Sequence, residues 1–321
     1  MDYIPLSDNA ARQVIDSSTI FDEFMRVQAA ARPYAGGMYW KRQGEYEYLV
    51  KTAPNNRQKR LGARSPEAEK IYAEFTSRKS ELEARLASLR AQLADAQRLN
   101  KALRAGRVPN MVVSVLQAIE EAGLGEHFTV VGTHALYAYE AAAGVRIVQG
   151  ALATQDVDLM WDARKRVQFV SDMTRLDSSM LRVLQQADKS FVRKKVHKEV
   201  QNVTAINDKG FEVDFLRRQP VDGDPHPFRF SEDEDDLLPV QAVRASVLTS
   251  APRFEHIVIS ATGRMVLMRT IAPATFVEFK RWMAEKAAYR EEPKRRRDLR
   301  QAVIVQALMD EGLLMAEAGI R

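Results

Sequence analysis

The sequence contains no cysteine. Disulfides, thiolate metal sites, zinc ribbons and cysteine nucleophiles are thereby excluded. It also lacks any apolar run approaching the length of a membrane span. The opening Met1-Asp2-Tyr3 carries no basic stretch leading into an apolar one, which argues against a signal peptide and makes the cytoplasm the expected compartment. Excess charge is small: 48 Lys and Arg against 43 Asp and Glu leave a net charge of +5. That balance permits a polyanionic partner without demanding one. His127, His226 and His256 show no partner spacing, and no His/Asp/Ser arrangement suggests hydrolysis by a nucleophile. What is present, 45% hydrophobic and 28% charged residues over 321 positions, suits a folded chain of two domains or one elaborate one.

Three regions follow from the patterning. The first, 1–106, opens with a helical stretch over about thirty residues, with Ala10, Val14, Phe21, Phe24, Met25 and Val27 at helical spacing and a break at Ser17-Ser18-Thr19. Residues 38–62 are aromatic and β-prone and predict a small antiparallel sheet. Its basic residues, Lys41, Arg42, Lys51, Arg57, Lys59 and Arg60, interleave with Tyr and Trp. Such a pattern grips a nucleic acid backbone, or it is the solvated edge of a packing module. Residues 66–105 predict one long helix opened by Ser65-Pro66-Glu67, with Leu82, Leu86, Leu89, Leu93 and Ala96 stepping by 4, 3, 4 and 3. That stripe must be covered, either by a helix of the same chain or by a second copy, so a monomer and a homodimer are both open. The second region, 107–260, reads as an α/β catalytic domain, and the third, 261–321, as the end of a hairpin followed by a helical tail.

The chemistry concentrates in the second region. Phe128-Thr129-Val130-Val131 is a short strand running into Gly132-Thr133 and then a helix from His134 to Ala143, stopped by Gly144. Gly132 allows a tight turn and close approach of a ligand. Thr133 offers a hydroxyl beside free N–H groups at a helix start, a place suited to phosphate. His134 either bonds that phosphate or, on the preferred reading, sits exposed in the first turn. In the next strand Val157, Leu159 and Trp161 alternate with Asp156, Asp158, Met160 and Asp162. Two carboxylates side by side on a strand repel, and a divalent cation would relieve them. A solvent-facing strand edge explains the alternation equally well. A hairpin at 199–217, turning at Asn207-Asp208-Lys209-Gly210, supplies Asp214 on the face opposite Phe211, Val213 and Phe215.

Gly132-Thr133, Asp156-Val157-Asp158 and a lone Asp214 among apolar residues resemble the nucleotidyltransferase superfamily that includes DNA polymerase β. More narrowly, Gly132-Thr133-His134-Ala135-Leu136-Tyr137-Ala138-Tyr139-Glu140 and Asp156-Val157-Asp158-Leu159 resemble a bacterial nucleotidyltransferase-like family. The stretches 44–49 and 61–67 fit the same resemblance, which then covers most of the chain. It implies an α+β fold: a polymerase-β-like mixed-sheet core, a helical N-terminal region bearing the β-module, and a C-terminal helical tail. It further implies Asp156, Asp158 and Asp214 as catalytic carboxylates that bind Mg²⁺ or Mn²⁺, with an NTP as substrate. The gap from Gly132 to Asp156 is 24 residues, longer than in compact members, and Gln155 stands where abortive-infection-type toxins commonly carry Thr or Ser.

A triphosphate needs positive charge. Phe191 to Lys198 is the densest basic cluster of the catalytic half, with Lys194, Lys195 and Lys198 as candidates, or else a solvated helix end. The run Glu232 to Asp236 reads as a solvent loop. Strands at 254–259 and 265–270 and helices from Pro273 and from about Lys294 complete the chain. A distant resemblance to abortive-infection-type nucleotidyltransferase toxins implies Lys280, Lys294 and Asp298 near the nucleotide. The expected activity is transfer of NMP to an acceptor hydroxyl, with RNA, and tRNA among RNAs, favoured over a protein side chain or a small molecule. The rival expectation is an idle nucleic-acid-binding or toxin–antitoxin partner protein.

Overall fold

The computed structural model of the chain describes residues 2–53, 56–152, 154–196, 199–221, 223–224, 228–287 and 290–316, with backbone alone at 195, 196 and 199–202. Two compact units divide it. Arg12–Leu99 forms one, and Met1–Ala11 with Asn100–Arg321 forms the other.

The chain starts with β1 (Tyr3–Pro5) and continues into α1 (Asp8–Ala31). The expected break at residues 17–19 does not occur. Ser17 donates its hydroxyl to the Val14 carbonyl at 3.2 Å and Thr19 donates to Ile15 at 3.0 Å, so both hydroxyls are satisfied within the helix. Next come β2 (Gly37–Gln43), β3 (Tyr46–Thr52) and β4 (Gln58–Ala63), an antiparallel meander in the order β2-β3-β4. Gly44, at φ 63°, makes the first turn in a conformation that favours glycine. Ser65 then accepts from the Ala68 N–H at 3.2 Å and opens α2 (Pro66–Ala102), with Pro66 at its first position. The leucine stripe is covered by the same chain: Leu82, Leu86 and Leu89 are buried with Val27 of α1, and Ile20 and Phe24 pack against them.

The larger unit resumes with α3 (Asn110–Glu121), β5 (Phe128–Val131), α4 (Ala135–Ala143) and β6 (Val145–Ile147), which pairs antiparallel with β1. It continues through β7 (Asp156–Trp161), α5 (Arg166–Leu176), α6 (Met180–Ala187), β8 (Val192–Val196), β9 (Glu199–Ile206) and β10 (Glu212–Arg217). The last elements are β11 (Val240–Gln241), α7 (Ala245–Ser250), β12 (Arg253–Ile259), β13 (Met265–Ile271), α8 (Pro273–Glu285) and α9 (Glu292–Asp310). Among the described residues one sheet runs β12-β13-β5-β7-β10-β9-β8, with β11 beside β10. It is mixed: β13 and β5 are parallel, as are β7 and β10, and the other pairs along this path are antiparallel. This is the α+β architecture expected from the sequence, a polymerase-β-like mixed-sheet core with helices and a small β-module before it and a helical tail behind.

Aromatic side chains fill one side of that sheet. Trp161 stacks on Phe228 with ring centroids 4.3 Å apart, and around them Phe128 meets Phe169 and Phe230 edge to face, as Phe215 meets Phe230. On α4, the Tyr139 hydroxyl donates to the Ile271 carbonyl at 2.7 Å and its ring meets Phe254 and Phe276. These contacts fix the end of β5, and with it the turn at Gly132, against the tail helices.

Two sequence expectations change here. Residues 192–196 are a strand, not a helix end, because they pair with β9. The acidic run does not all stay in solvent. Asp236 is buried, and its carboxylate accepts from the Met180 and Leu181 N–H groups at 3.0 Å each, capping α6. His197, Lys198, Asp222 and residues 225–227 lie outside the described residues. No described helix is long and apolar enough to cross a membrane.

Candidate active site

Strand order builds the site. β7 lies between β5 and β10, so it is not a solvent-facing edge, and Met160 on the carboxylate face is buried. The parallel register places Asp158 beside Asp214 and Asp156 beside Glu212. Side chains at register partners share a face, so four carboxylates gather on two adjacent strands. Oxygens of Asp156, Asp158 and Asp214 all lie within 4.8 Å of one another. Such a set is what a hard divalent cation takes, and without one the charges oppose each other.

Their protonation reflects this crowding. Burial pushes the Asp158 carboxyl up to about 7, and Asp156 and Asp214 push it the same way, while Lys280 and Arg290 oppose. Burial also raises Asp214, against the hydroxyl of Thr204, which donates to its Oδ1. Thr154 donates to Asp156. Each of these two carboxylates is therefore oriented by a threonine that sequence reasoning left unused. Thr204 was recoverable: a hairpin turning at 207–210 sets Thr204 opposite Asp214, as the register shows.

Gly132 is required by close approach. It sits at φ +71°, and a Cβ added there would lie 2.5 Å from Asp158 Oδ2. Val131 pairs with Asp158 across β5 and β7, which brings the turn onto that carboxylate. Thr133 is buried, and its hydroxyl accepts from Gln301 Nε2 at 3.2 Å, while the same amide donates to the Ala151 carbonyl at 2.7 Å. Gln301 thus ties the turn to α9, a contact that carries no motif in the sequence.

A cavity of about 290 Å³ opens beside the carboxylates. Gly132, Thr133, Asp156, Asp158, Lys280 and Lys294 line it, together with Phe276, Phe279 and Met283 on an apolar wall. Arg290 and Arg297 also line it, and the sequence motifs point to neither. Lys280 is buried and donates to Asp298 Oδ1 at 2.8 Å, and Arg290 donates to Oδ2 at 2.8 Å. Burial would raise Asp298, but Lys280 and Arg290 hold it below the ordinary carboxylate range. Burial lowers Lys280 despite Asp298. Lys294 is half-exposed and pairs with Glu291 at 3.0 Å. Lys194 does not line the cavity: its ammonium lies 2.6 and 2.7 Å from the two Glu212 oxygens. The side chain of Lys195 lies outside the described residues.

His134 is buried, not exposed as the sequence reading preferred, and neither ring nitrogen has a hydrogen-bond partner. Burial pushes its imidazole down to about 4, with Asp156 opposing. In the unfolded chain it titrates at its ordinary value, so between about 6.5 and 4 the unfolded state binds the extra proton. Stability conferred by the neutral ring is complete above about pH 6.5 and falls by roughly 3 kcal/mol as pH drops to about 4. Thermal melts of the parent and of His134→Leu at pH 7 and pH 5 check this. The parent is expected to lose more between the two, and equal losses would refute it.

A family model described as nucleotidyltransferase matches residues 110–318. Neither a curated protein nor a solved structure matches the chain.

Proposed function

The chain belongs to the nucleotidyltransferase family, and from that premise we propose that it transfers NMP from an NTP to an acceptor hydroxyl on RNA, with tRNA among the acceptors. The observation that carries the transfer is the gathering of Asp156, Asp158 and Asp214 within 4.8 Å beside a glycine whose missing Cβ leaves room for Asp158. Mg²⁺ or Mn²⁺ fits this set of hard oxygens, and its positive charge offsets the repulsion that raises Asp158. When bound, the cation polarises phosphoryl oxygens and neutralises the charge that builds on them.

The residues divide the work. Asp156, steadied by Thr154, and Asp158 hold the cation, and Asp214 completes the set. The acceptor oxygen bonds to the α-phosphorus, the bond to the pyrophosphate oxygen breaks, and the acceptor proton passes to Asp214, whose other contact is Thr204. Lys280, Lys294, Arg290 and Arg297 face the triphosphate across the cavity, and Asp298 holds Lys280 in place and opposes the effect of its burial. The apolar wall of Phe276, Phe279 and Met283 receives the base. The Lys280–Asp298 pair supports kinship with the abortive-infection type, and the cysteine-free sequence suits a reducing cytoplasm.

RNA is favoured as acceptor by the basic and aromatic residues of β2–β4. The test is incubation with each α-labelled NTP, Mg²⁺ and total cell extract. Nuclease-sensitive label is the expected result. Label surviving on protein, or on small molecules, would replace the acceptor and leave the transfer standing. No label in any fraction would refute the transfer and favour an idle nucleic-acid-binding or toxin–antitoxin partner protein.

A further inference from the structure

The two faces of the β2–β4 sheet differ in kind. Strand alternation and register put Trp40, Leu49 and Lys51 on one face. That face is covered by α2 of the same unit: Trp40 meets Tyr72 at 5.8 Å, Lys51 lies over the Phe75 ring at 5.4 Å, and Leu49 is fully buried. The other face carries Tyr39, Lys41, Tyr46, Tyr48, Val50 and Arg60. Tyr39 pairs with Val50, Lys41 with Tyr48 and Val50 with Arg60 in the register. Here Tyr46 is 65% exposed and Tyr39 36%, and their neighbours Lys41 and Arg60 are exposed as well. The Tyr46 and Tyr48 rings lie 6.4 Å apart, and the Arg60 guanidinium sits 3.0 Å over the Tyr48 ring.

We propose that this open face is a stacking platform for single-stranded nucleic acid. Rings in a row on a flat sheet offer π-faces that any base matches, and adjacent cations follow the phosphates. Charge argues for the same occupant. The one acidic residue within the three strands, Glu47, pairs with Arg64. Among the described residues no carboxylate pairs with Lys41 or Arg60, and both are exposed. Lys, a residue depleted at protein-binding interfaces, is exposed here at Lys41, and the apolar centre of the face, Val50, is itself buried at 4% among its neighbours rather than offered to a partner. The proposal deepens the RNA-acceptor reading by naming where the strand is held, and binding itself needs neither cation nor NTP.

The test uses the full chain in EDTA without NTP and fluorescein-labelled oligouridylate read by anisotropy. The parent is expected to bind it more tightly than an RNA duplex. Tyr46→Ala combined with Tyr48→Ala is expected to weaken binding about 10-fold or more. Tyr46→Ala alone, at an exposed position, weakens it in the same direction and guards against misfolding of the double variant. Lys41→Gln with Arg60→Gln is expected to reduce the slope of log affinity against log salt by about 1.4, or roughly 0.7 per lost phosphate contact. Asp156→Asn with Asp158→Asn should bind as the parent does while losing transfer, which separates the platform from the catalytic reading. The proposal is overturned by unchanged affinity in the Tyr46→Ala and Lys41→Gln/Arg60→Gln proteins, by equal affinity for duplex, or by loss of binding in the aspartate variant. A parent that labels protein but binds no oligouridylate overturns it as well.

Discussion

Asp158→Asn is expected to raise the melting temperature of the cation-free protein at pH 8 and to remove nucleotidyl transfer. Burial and two neighbouring carboxylates push Asp158 up to about 7, so in the folded state it keeps a proton that the unfolded chain has already released. Stability from this group is present below its unfolded value, near 4, and is lost as pH rises through about 7. Asparagine resembles the protonated form and escapes the loss. The gain in melting temperature should therefore be near zero below about pH 4, grow through pH 5 and 6, and reach at least about 2–4 °C at pH 8, roughly 1 kcal/mol or more in a protein of this size. Mg²⁺ or Mn²⁺ should stabilise the parent at pH 8 and not the variant. Transfer should fall by at least about 10²–10³-fold, the loss from one electrostatic group aimed at the reacting centre. A variant that melts lower than the parent at pH 8 would make Asp158 a structural residue. A variant with full transfer would remove it from the chemistry.

Asp298→Asn is expected to act in the opposite sense, costing stability first. Asp298 is fully buried, and its two oxygens accept from Lys280 and Arg290, the first of which is buried as well. Without the carboxylate two cations face each other with no counter-charge, and breaking such a pair costs about 3–5 kcal/mol. Adding Lys280→Met should recover part of that loss, because the stranded charge goes with it. Urea melts of the single and double variants decide it: no recovery in the double variant would mean that the pair is not coupled. Transfer should be low in both, since the cavity loses the Lys280 ammonium in one and its support in the other.

The legible part of this molecule was the part written in short range. Alternation marked β7 and β10, the Asn207–Gly210 turn marked β9 as the hairpin partner of β10, and glycines at 132 and 144 bounded α4. Asp156 and Asp158 therefore shared a face on sequence alone, and Asp214 lay opposite its own buried residues, but only the β7–β10 register brings the three together. What stayed hidden depends on contacts far apart in the chain. Gln301 reaches Thr133 across 168 positions, and no periodicity records that bond. Lys194 looked available because its sequence neighbours are basic, yet β8 brings it to Glu212 two strands away. His134 looked exposed because helix starts usually are, and the tertiary core covers it instead. The leucine stripe of α2 was ambiguous between one chain and two, and only the packing of Val27 against it decides.

The pairing of β1 with β6 makes the order of synthesis differ from the order of assembly. Tyr3 pairs with Ile147 and Pro5 with Val145, while the whole Arg12–Leu99 unit lies between them in the chain. At ordinary translation rates the partner of β1 is made roughly seven to thirty seconds later. The Arg12–Leu99 unit, with its meander and helix pair built from nearer contacts, is complete in sequence well before that. Residues 3–5 therefore have no partner until residues 145–147 are made, and the larger unit can close only around a segment that the ribosome released long before.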